Sequence, residues 1–464
     1  PHNYDNDFCT NCGSGHSATI DSDGYYEIAD AAQLHWFAEQ VNSGNATIKG
    51  KLTADITLSG STDDYMIGTS DNPFKGEFDG GNHTISGVNV TTAKTGVNDN
   101  QYAAGLFGCI NASDDAATAV VKDLTVEGSV NITGLTTKYY AGGVIGIAYG
   151  NVNVSNVISR VDVTTGSNGQ KGHCGGVVAS GEWFGTTNGY LNVSKCVNYG
   201  TLNVACANVS GGVIGYIRKG SITDCLNVGD VTNSEDGHTS GVLGYVREDG
   251  ASISRCLNVG SVTNTKNSEK VNPVCHINGE ITTSYLYYKS GVCGTATNAT
   301  EVSGEELASG EVAWLLNGLE AGESPAWRQT IGEDEYPVLD NTHGIVHCGY
   351  NACTPFYSND AVSPTQPEHH YGADGFCSNC GSFQPATLIS EGNYEIANAG
   401  QLYWFAEQVN NGETTINGRL TADIVVNTNV LNANGNLNGE GEGFRTWTPI
   451  GKDEDGKRFD GTFD

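Results

Sequence analysis

Two short phrases alternate through the middle of this chain, and their period rules out most folds. The first phrase ends on an apolar or aromatic residue. It reads Thr84-Ile85-Ser86-Gly87-Val88, Val121-Lys122-Asp123-Leu124 and Asn153-Val154-Ser155-Asn156-Val157. It continues as Asn192-Val193-Ser194-Lys195-Cys196, Ser221-Ile222-Thr223-Asp224-Cys225, Ser252-Ile253-Ser254-Arg255-Cys256 and Ile281-Thr282-Thr283-Ser284-Tyr285, with last positions 29 to 39 residues apart. Between them lie Gly105-Leu106-Phe107-Gly108, Gly143-Val144-Ile145-Gly146, Gly176-Val177-Val178, Gly212-Val213-Ile214-Gly215 and Gly241-Val242-Leu243-Gly244. Each phrase is a short strand bounded by Gly or Asn, so each period holds at least two strands and no helix. A unit of about 30 residues cannot bury its apolar face alone, but stacked copies can. The expected fold is an all-β solenoid, a parallel β-helix of about eight coils rising about 4.8 Å each.

Stacking fixes which side chains align. Val88, Leu124, Val157, Cys196, Cys225, Cys256 and Tyr285 are expected to form one inward column. The residues before them face solvent, so Lys195, Asp224 and Arg255 make an alternating charge ladder worth about 0.2–1 kcal/mol per pair. The paired glycines are expected to supply turns with positive φ between flat sheets.

A longer repeat overlies the short one. Phe8-Cys9-Thr10-Asn11-Cys12-Gly13 returns as Phe376-Cys377-Ser378-Asn379-Cys380-Gly381, and Trp36 to Asn42 returns as Trp404 to Asn410, both at an offset of 368 residues. Phe459-Asp460-Gly461-Thr462-Phe463-Asp464 then matches Phe74 to Asp79. The chain reads as a window on a longer tandem array. Asp30 to Asn42 predicts an amphipathic helix. Asp30 is the N-cap with Gln33 in the reciprocal position, and Leu34, Phe37, Ala38 and Val41 form the apolar stripe. Ser303 with Glu306 is a capping box opening a second helical patch that Gly318 can end. The expected organisation is a Cys/His mini-module at 1–18 and a β-helix unit at 19–340, with an N-terminal cap helix at 30–42 and a C-terminal helical cap at 303–318. A linker with a second Cys/His module follows at 341–385, and a second unit starts at 386–464.

Charge narrows the partners. With 22 basic against 53 acidic residues the net charge is −31, which argues against nucleic acid and anionic membrane surfaces. Only 16% of residues are charged and 38% are hydrophobic, so this is not a disordered acidic tail. No apolar run is long enough to span a bilayer.

Two cysteine groups carry different chemistry. His2, Cys9, Cys12 and His16 have spacings close to those of structural zinc sites. The second copy offers His370, Cys377 and Cys380, but Gln384 stands where His16 would be. Its fourth ligand could come from Cys353, Cys348, His347 or His369. The alternative is a disulfide, such as Cys348 with Cys353, because an extracellular chain meets oxidising conditions. Either way the role is a staple for a segment too small to have its own core. Cys109, Cys174, Cys196, Cys206, Cys225, Cys256, Cys275 and Cys293 instead read as small apolar residues of the β-helix. Acidic clusters at Glu333-Asp334-Glu335 and Asp453-Glu454-Asp455 could bind calcium, although they lack a ligand-loop glycine.

The Gly-Leu-Phe-Gly and Gly-Val-Ile-Gly phrases, in a register of five, resemble the GLUG repeat of large bacterial surface proteins and of the outer regions of IgA-specific metalloproteases. Trp36 to Asn42 and Tyr336-Pro337-Val338-Leu339 are similar to segments of gut-bacterial secreted repeat proteins. The resemblance implies a right-handed parallel β-helix at the cell surface or outside the cell. It carries no catalytic residues, and the metalloprotease helix signature is absent from the sequence. The first expected function is a non-catalytic adhesin, stalk or fibre whose partners are neighbouring copies of the repeat and a host or environmental glycan or protein. The alternative is a carbohydrate-binding or polysaccharide-degrading protein. Trp183, Phe184, Tyr287 and Tyr288 would then stack on sugars, and Arg218 aligns with Arg247.

Overall fold

The computed structural model describes residues 4–5, 8–9, 15–95, 101–112, 118–135, 137–166, 171–182, 189–247, 250–294, 298–319, 324–351, 353–362, 368–438, 443–452 and 457–464. The chain forms two compact units, 1–347 with 357–360, and 348–356 with 361–464. The Cys/His module expected as part of a linker at 341–385 therefore falls almost wholly in the second unit.

In the first unit the chain visits three parallel sheets in turn. The first contains the long strands Lys49–Leu52, Glu77–Val90, Ala119–Ile132, Val152–Thr165, Leu191–Ser194, Gly220–Asn227, Ser252–Asn258 and Thr282–Lys289. The second contains Gln101–Ala104, Lys138–Gly142, Gly172–Gly175, Val209–Gly211, His238–Ser240 and Val271–Asn272. The third contains Phe107–Ala112, Ile145–Gly150, Val178–Glu182, Ile214–Ile217 and Leu243–Val246. The unit is mostly β, with large parallel sheets and few helices, consistent with a β-helix-like fold. Its main core is a cluster lined by all three sheets.

From Ala119–Ile132 onward, one residue in or just after each strand of the first sheet leaves the extended conformation. Asp123, Asn156, Lys195, Asp224, Arg255 and Tyr285 all have φ between 51° and 54°. The left-handed conformation costs a non-glycine residue about 1–2 kcal/mol, so neighbouring strands must hold it. The residue that follows turns inward: Leu124, Val157, Cys196, Cys225, Cys256 and Leu286 are buried. Two members of the expected column are displaced. Tyr285 occupies the left-handed step and is 41% exposed, while Leu286 pairs with Cys256. Val88 pairs with Gly128, because the Glu77–Val90 strand shifts register twice against its neighbour.

The expected charge ladder is also corrected, because Asp224 is buried. Arg255 donates to it from Nε at 2.7 Å and Nη2 at 2.9 Å, and Trp327 Nε1 donates at 3.2 Å. An aspartate so held is a structural partner rather than a solvated charge. Asp224→Ala is expected to cost about 2–3 kcal/mol, below the usual loss for a broken buried pair because water reaches Arg255. Urea unfolding monitored at Trp327 checks this.

The glycines between the second and third sheets serve close approach instead of positive φ. Gly176, Gly212 and Gly241 all lie outside the left-handed region. A Cβ at Gly212 would sit 2.1 Å from the Gly241 carbonyl oxygen and 2.3 Å from Asn227 Cγ. Gly176 and Gly241 are equally crowded by Asn198 and Asn258. These asparagines are fully buried and bonded head to tail. Asn198 Nδ2 donates to Asn227 Oδ1 at 2.9 Å, and Asn227 Nδ2 donates to Asn258 Oδ1 at 2.8 Å. Each Nδ2 also reaches the carbonyl two residues on, at Gly200, Gly229 or Gly260.

Helix α1 (Ala31–Asn42) starts as the sequence predicts, with Asp30 accepting from the Gln33 backbone. Its Phe37 packs edge-on to Phe74 and Phe78 and lies over Gly50, where a Cβ would come within 2.8 Å of the ring. Helices α2 (Gly304–Ala308) and α3 (Glu311–Leu316) follow the capping box at Ser303 and Glu306. They bury against Val197, Leu226, Leu257 and Tyr287, one residue from each of four successive paired strands. They therefore brace a side of the first sheet. Tyr287 and Tyr288, expected as sugar platforms, are buried, whereas Trp183 and Phe184 lie outside the described residues. No helix among the described residues is long and apolar enough to cross a membrane.

A histidine stack on this unit makes its stability pH-dependent. His238 stacks on His276 with ring centroids 3.8 Å apart. Desolvation, His276 and Lys270 hold the His238 pKa down to about 4, against an opposing pull from Asp236. The unfolded chain therefore takes this proton first. Stability is expected to be level above about pH 6.5 and to fall between there and about pH 4, by about 1 kcal/mol for this partly solvated ring. His238→Gln should flatten that part of the thermal-midpoint profile relative to the parent.

Candidate metal centre

The second unit contains a knuckle that the sequence folds locally. The Cys377 backbone donates to the Ser382 carbonyl at 2.8 Å, and the Gly381 backbone donates back to the Cys377 carbonyl at 2.8 Å. Gly381 has φ of +73°, which lets the chain reverse directly after Cys380. Tyr371 bridges Cys377, and Phe376 bridges Phe383. Phe376 and Phe383 pack on Tyr403 of helix α4 (Ala399–Asn411) at 5.4 and 5.3 Å. Arg445 covers Phe376 at 3.6 Å and bonds Asp374 at 2.8 Å.

Four donors converge on this knuckle. Cys353, His369, Cys377 and Cys380 place their ligand atoms all within 4.8 Å of one another. Cys353 Sγ lies 3.6 Å from Cys377 Sγ, and Cys380 Sγ lies 3.5 Å from His369 Nδ1. A tetrahedral zinc with bonds of about 2.3 Å to sulfur requires sulfur–sulfur edges of about 3.8 Å, so the spacing fits. The cluster could hold a metal such as zinc.

Electrostatics favour the ligand forms of two thiols. Burial opposes ionisation of Cys377, yet the backbone N–H groups of Asn379 and Cys380, with His369 and Cys353, draw its pKa down to about 5. The Ser382 hydroxyl leads the lowering at Cys380. Burial pushes Cys353 up to about 11, and the bond to Cys377 raises His369. A metal ion would offset the cost of ionising Cys353.

The expected ligand sets are redistributed. Cys353, Cys377 and Cys380 come together, but His369 replaces His370. His370 is exposed, and its carbonyl accepts from the Ser378 backbone at 3.0 Å. The proposed Cys348–Cys353 bridge is not formed. Neither thiol is in a disulfide, Cys348 faces the Gly349 carbonyl at 3.7 Å, and Cys353 turns into the cluster. In the first copy, His2, Cys12 and the Cys9 side chain lie outside the described residues. His16 Nε2 lies 3.1 Å from Asp30, the N-cap of α1. The second copy keeps that pairing with amides, Asn398 donating to Gln384 at 2.8 Å, so position 16 secures a helix start.

Cys196, Cys225 and Cys256 of the first sheet are buried and direct their thiols to backbone carbonyls. Cys174 and Cys206, whose thiols lie 3.1 Å apart, form a pair that phrase alignment missed because they are out of register. At the calcium candidate 333–335, Asp334 accepts from Thr330 and lies 2.7 Å from His343 Nδ1, which accounts for it structurally. Asp453-Glu454-Asp455 lies outside the described residues.

No protein-family model matches this chain, and no curated protein matches it. Among solved structures, it is similar to a chain from Bacteroides ovatus described as "a putative immunoglobulin A1 protease". The identity is 15% and the TM-score 0.47, covering 69% of this chain and 94% of that one.

Proposed function

We propose that the first unit is a right-handed parallel β-helix related to GLUG-repeat proteins, and that the chain is a non-catalytic segment of an extracellular or cell-surface protein. In that role, tandem units form an adhesin, stalk or fibre and neighbouring copies are its first partners. The supporting observation is that both units begin alike. Tyr26 meets Trp36 and Tyr394 meets Trp404, each pair with ring centroids at 5.1 Å. Phe37 lies 6.2 and 5.7 Å from Phe74 and Phe78, while Phe405 lies 6.0 and 5.6 Å from Phe459 and Phe463. A repeated starter of this kind suits an array assembled from similar units. The module around Cys377 then acts as a metal staple at the start of the second unit.

Electron microscopy of the native cell-surface or secreted material tests this. Repeating rods, continuous or jointed, are expected. Compact particles without an axial repeat would overturn the array and favour an enzyme.

A further inference from the structure

A cavity of about 440 Å³ lies against the second and third sheets. Lys138 and Arg247 line it, with Glu182 as its carboxylate. Strand register places Arg218 between Glu182 and Arg247 in successive coils. Three cations therefore surround one carboxylate on a chain of net charge −31. Desolvation holds the Glu182 carboxyl above its ordinary value and the Lys138 ammonium below its own.

The cavity has a fixed aromatic and polar lining. Tyr216 and Tyr245 stack in adjacent coils, with centroids 6.2 Å apart and planes within 3°. His173 is 1% exposed. Its Nδ1 lies 2.8 Å from Ser180 Oγ and its Nε2 lies 2.8 Å from Asn208 Nδ2, which holds the Asn208 amide at the cavity edge. Tyr216 is buried between His173 and Tyr245, and Tyr245 stacks in turn on His276, so the rings wall the cavity. Amides pair with hydroxyls, and guanidinium groups bind carboxylate or sulfate.

From this juxtaposition we propose that the cavity binds an anionic saccharide, with the Asn208 amide meeting sugar hydroxyls and Lys138 and Arg247 pairing with the acidic substituent. This adds a ligand class to the extracellular role above. It stands apart from the array, because failure to bind leaves the rods seen by microscopy unchanged.

Titration calorimetry on the full chain tests it with three probes: a galacturonate oligomer, a chondroitin sulfate oligosaccharide and an uncharged cello-oligosaccharide. Binding of either anionic probe at one site, with the neutral probe at least tenfold weaker, is expected. The galacturonate oligomer alone would assign carboxylate recognition, and preference for the chondroitin oligosaccharide would assign sulfate. Arg247→Gln and Lys138→Gln should each weaken binding at least tenfold, while Lys195→Ala leaves it unchanged. Circular dichroism confirms that each variant is folded, and two separate cations keep the test intact if one variant is not. Absence of binding, equal binding of the neutral probe, or unchanged affinity in both folded variants would overturn the proposal.

Discussion

Cys377→Ser combined with Cys380→Ser is expected to abolish zinc binding and unfold the start of the second unit while the first unit stays folded. The parent should carry one zinc at this cluster by elemental analysis. Structural zinc in small peptides contributes about 10–16 kcal/mol of apparent binding energy, which is also folding energy when no site preexists. Around the Cys377 knuckle the aromatic support is Phe376 and Phe383 with their contact to Tyr403. Loss of the ion should therefore expose the backbone of 368–385 to hydrogen exchange. Protection at Ala119–Ile132 and Val152–Thr165 should hold, because those strands have their own core. A parent with no bound zinc, or unchanged exchange in the variant, would show that the module folds without metal.

The second large effect lies at Gly212. Gly212→Ala places a methyl group where the Gly241 carbonyl and the Asn227 amide already sit, so either two coils separate or the asparagine ladder breaks. Overpacking typically costs about 1–3 kcal/mol, and a buried amide without a partner adds about 1–3 kcal/mol more. A total above about 3 kcal/mol is expected from denaturant unfolding. Asn227→Ala should be comparable, because it strands the Gly229 carbonyl and Asn258 Oδ1. Gly304→Ala is the control. Nothing lies within 4 Å of its Cβ position, and the residue opens a helix, so a neutral or slightly stabilising effect is expected. Equal losses at Gly212 and Gly304 would refute the close-approach account.

Much of this was legible from the sequence, because stacking writes one pattern many times. The first phrase placed Leu124, Val157, Cys196, Cys225 and Cys256 in one inward column, and all five are buried. Alignment also put Arg218 beside Arg247, as the register of Ile217 with Val246 requires. What failed was phase. A left-handed residue breaks the two-residue alternation, so a motif matched one position early sent Tyr285 inward instead of Leu286. Parity also decides between His369 and His370. Tyr371 bridges Cys377, and residues two apart share a strand face, so His369 was the better candidate. The groove was less legible because its residues come from separate coils and sheets, and its charges become distinctive only when gathered.

The asparagine ladder has a consequence for how such a chain changes length. Asn198, Asn227 and Asn258 lie 29 and 31 residues apart and make the same bonds to the same kinds of partner. Excising the residues between two of them would join equivalent positions and leave each remaining Nδ2 its carbonyl acceptor, with the ladder's end, now Asn198 Oδ1, unchanged in kind. Duplicating them would extend the ladder by one rung. The ladder ends where the side chain changes, at Ser159 on one side and Tyr288 on the other. Unequal recombination between coding repeats would therefore add or remove whole repeats without adding an unsatisfied buried amide, so repeat number is heritable in discrete steps.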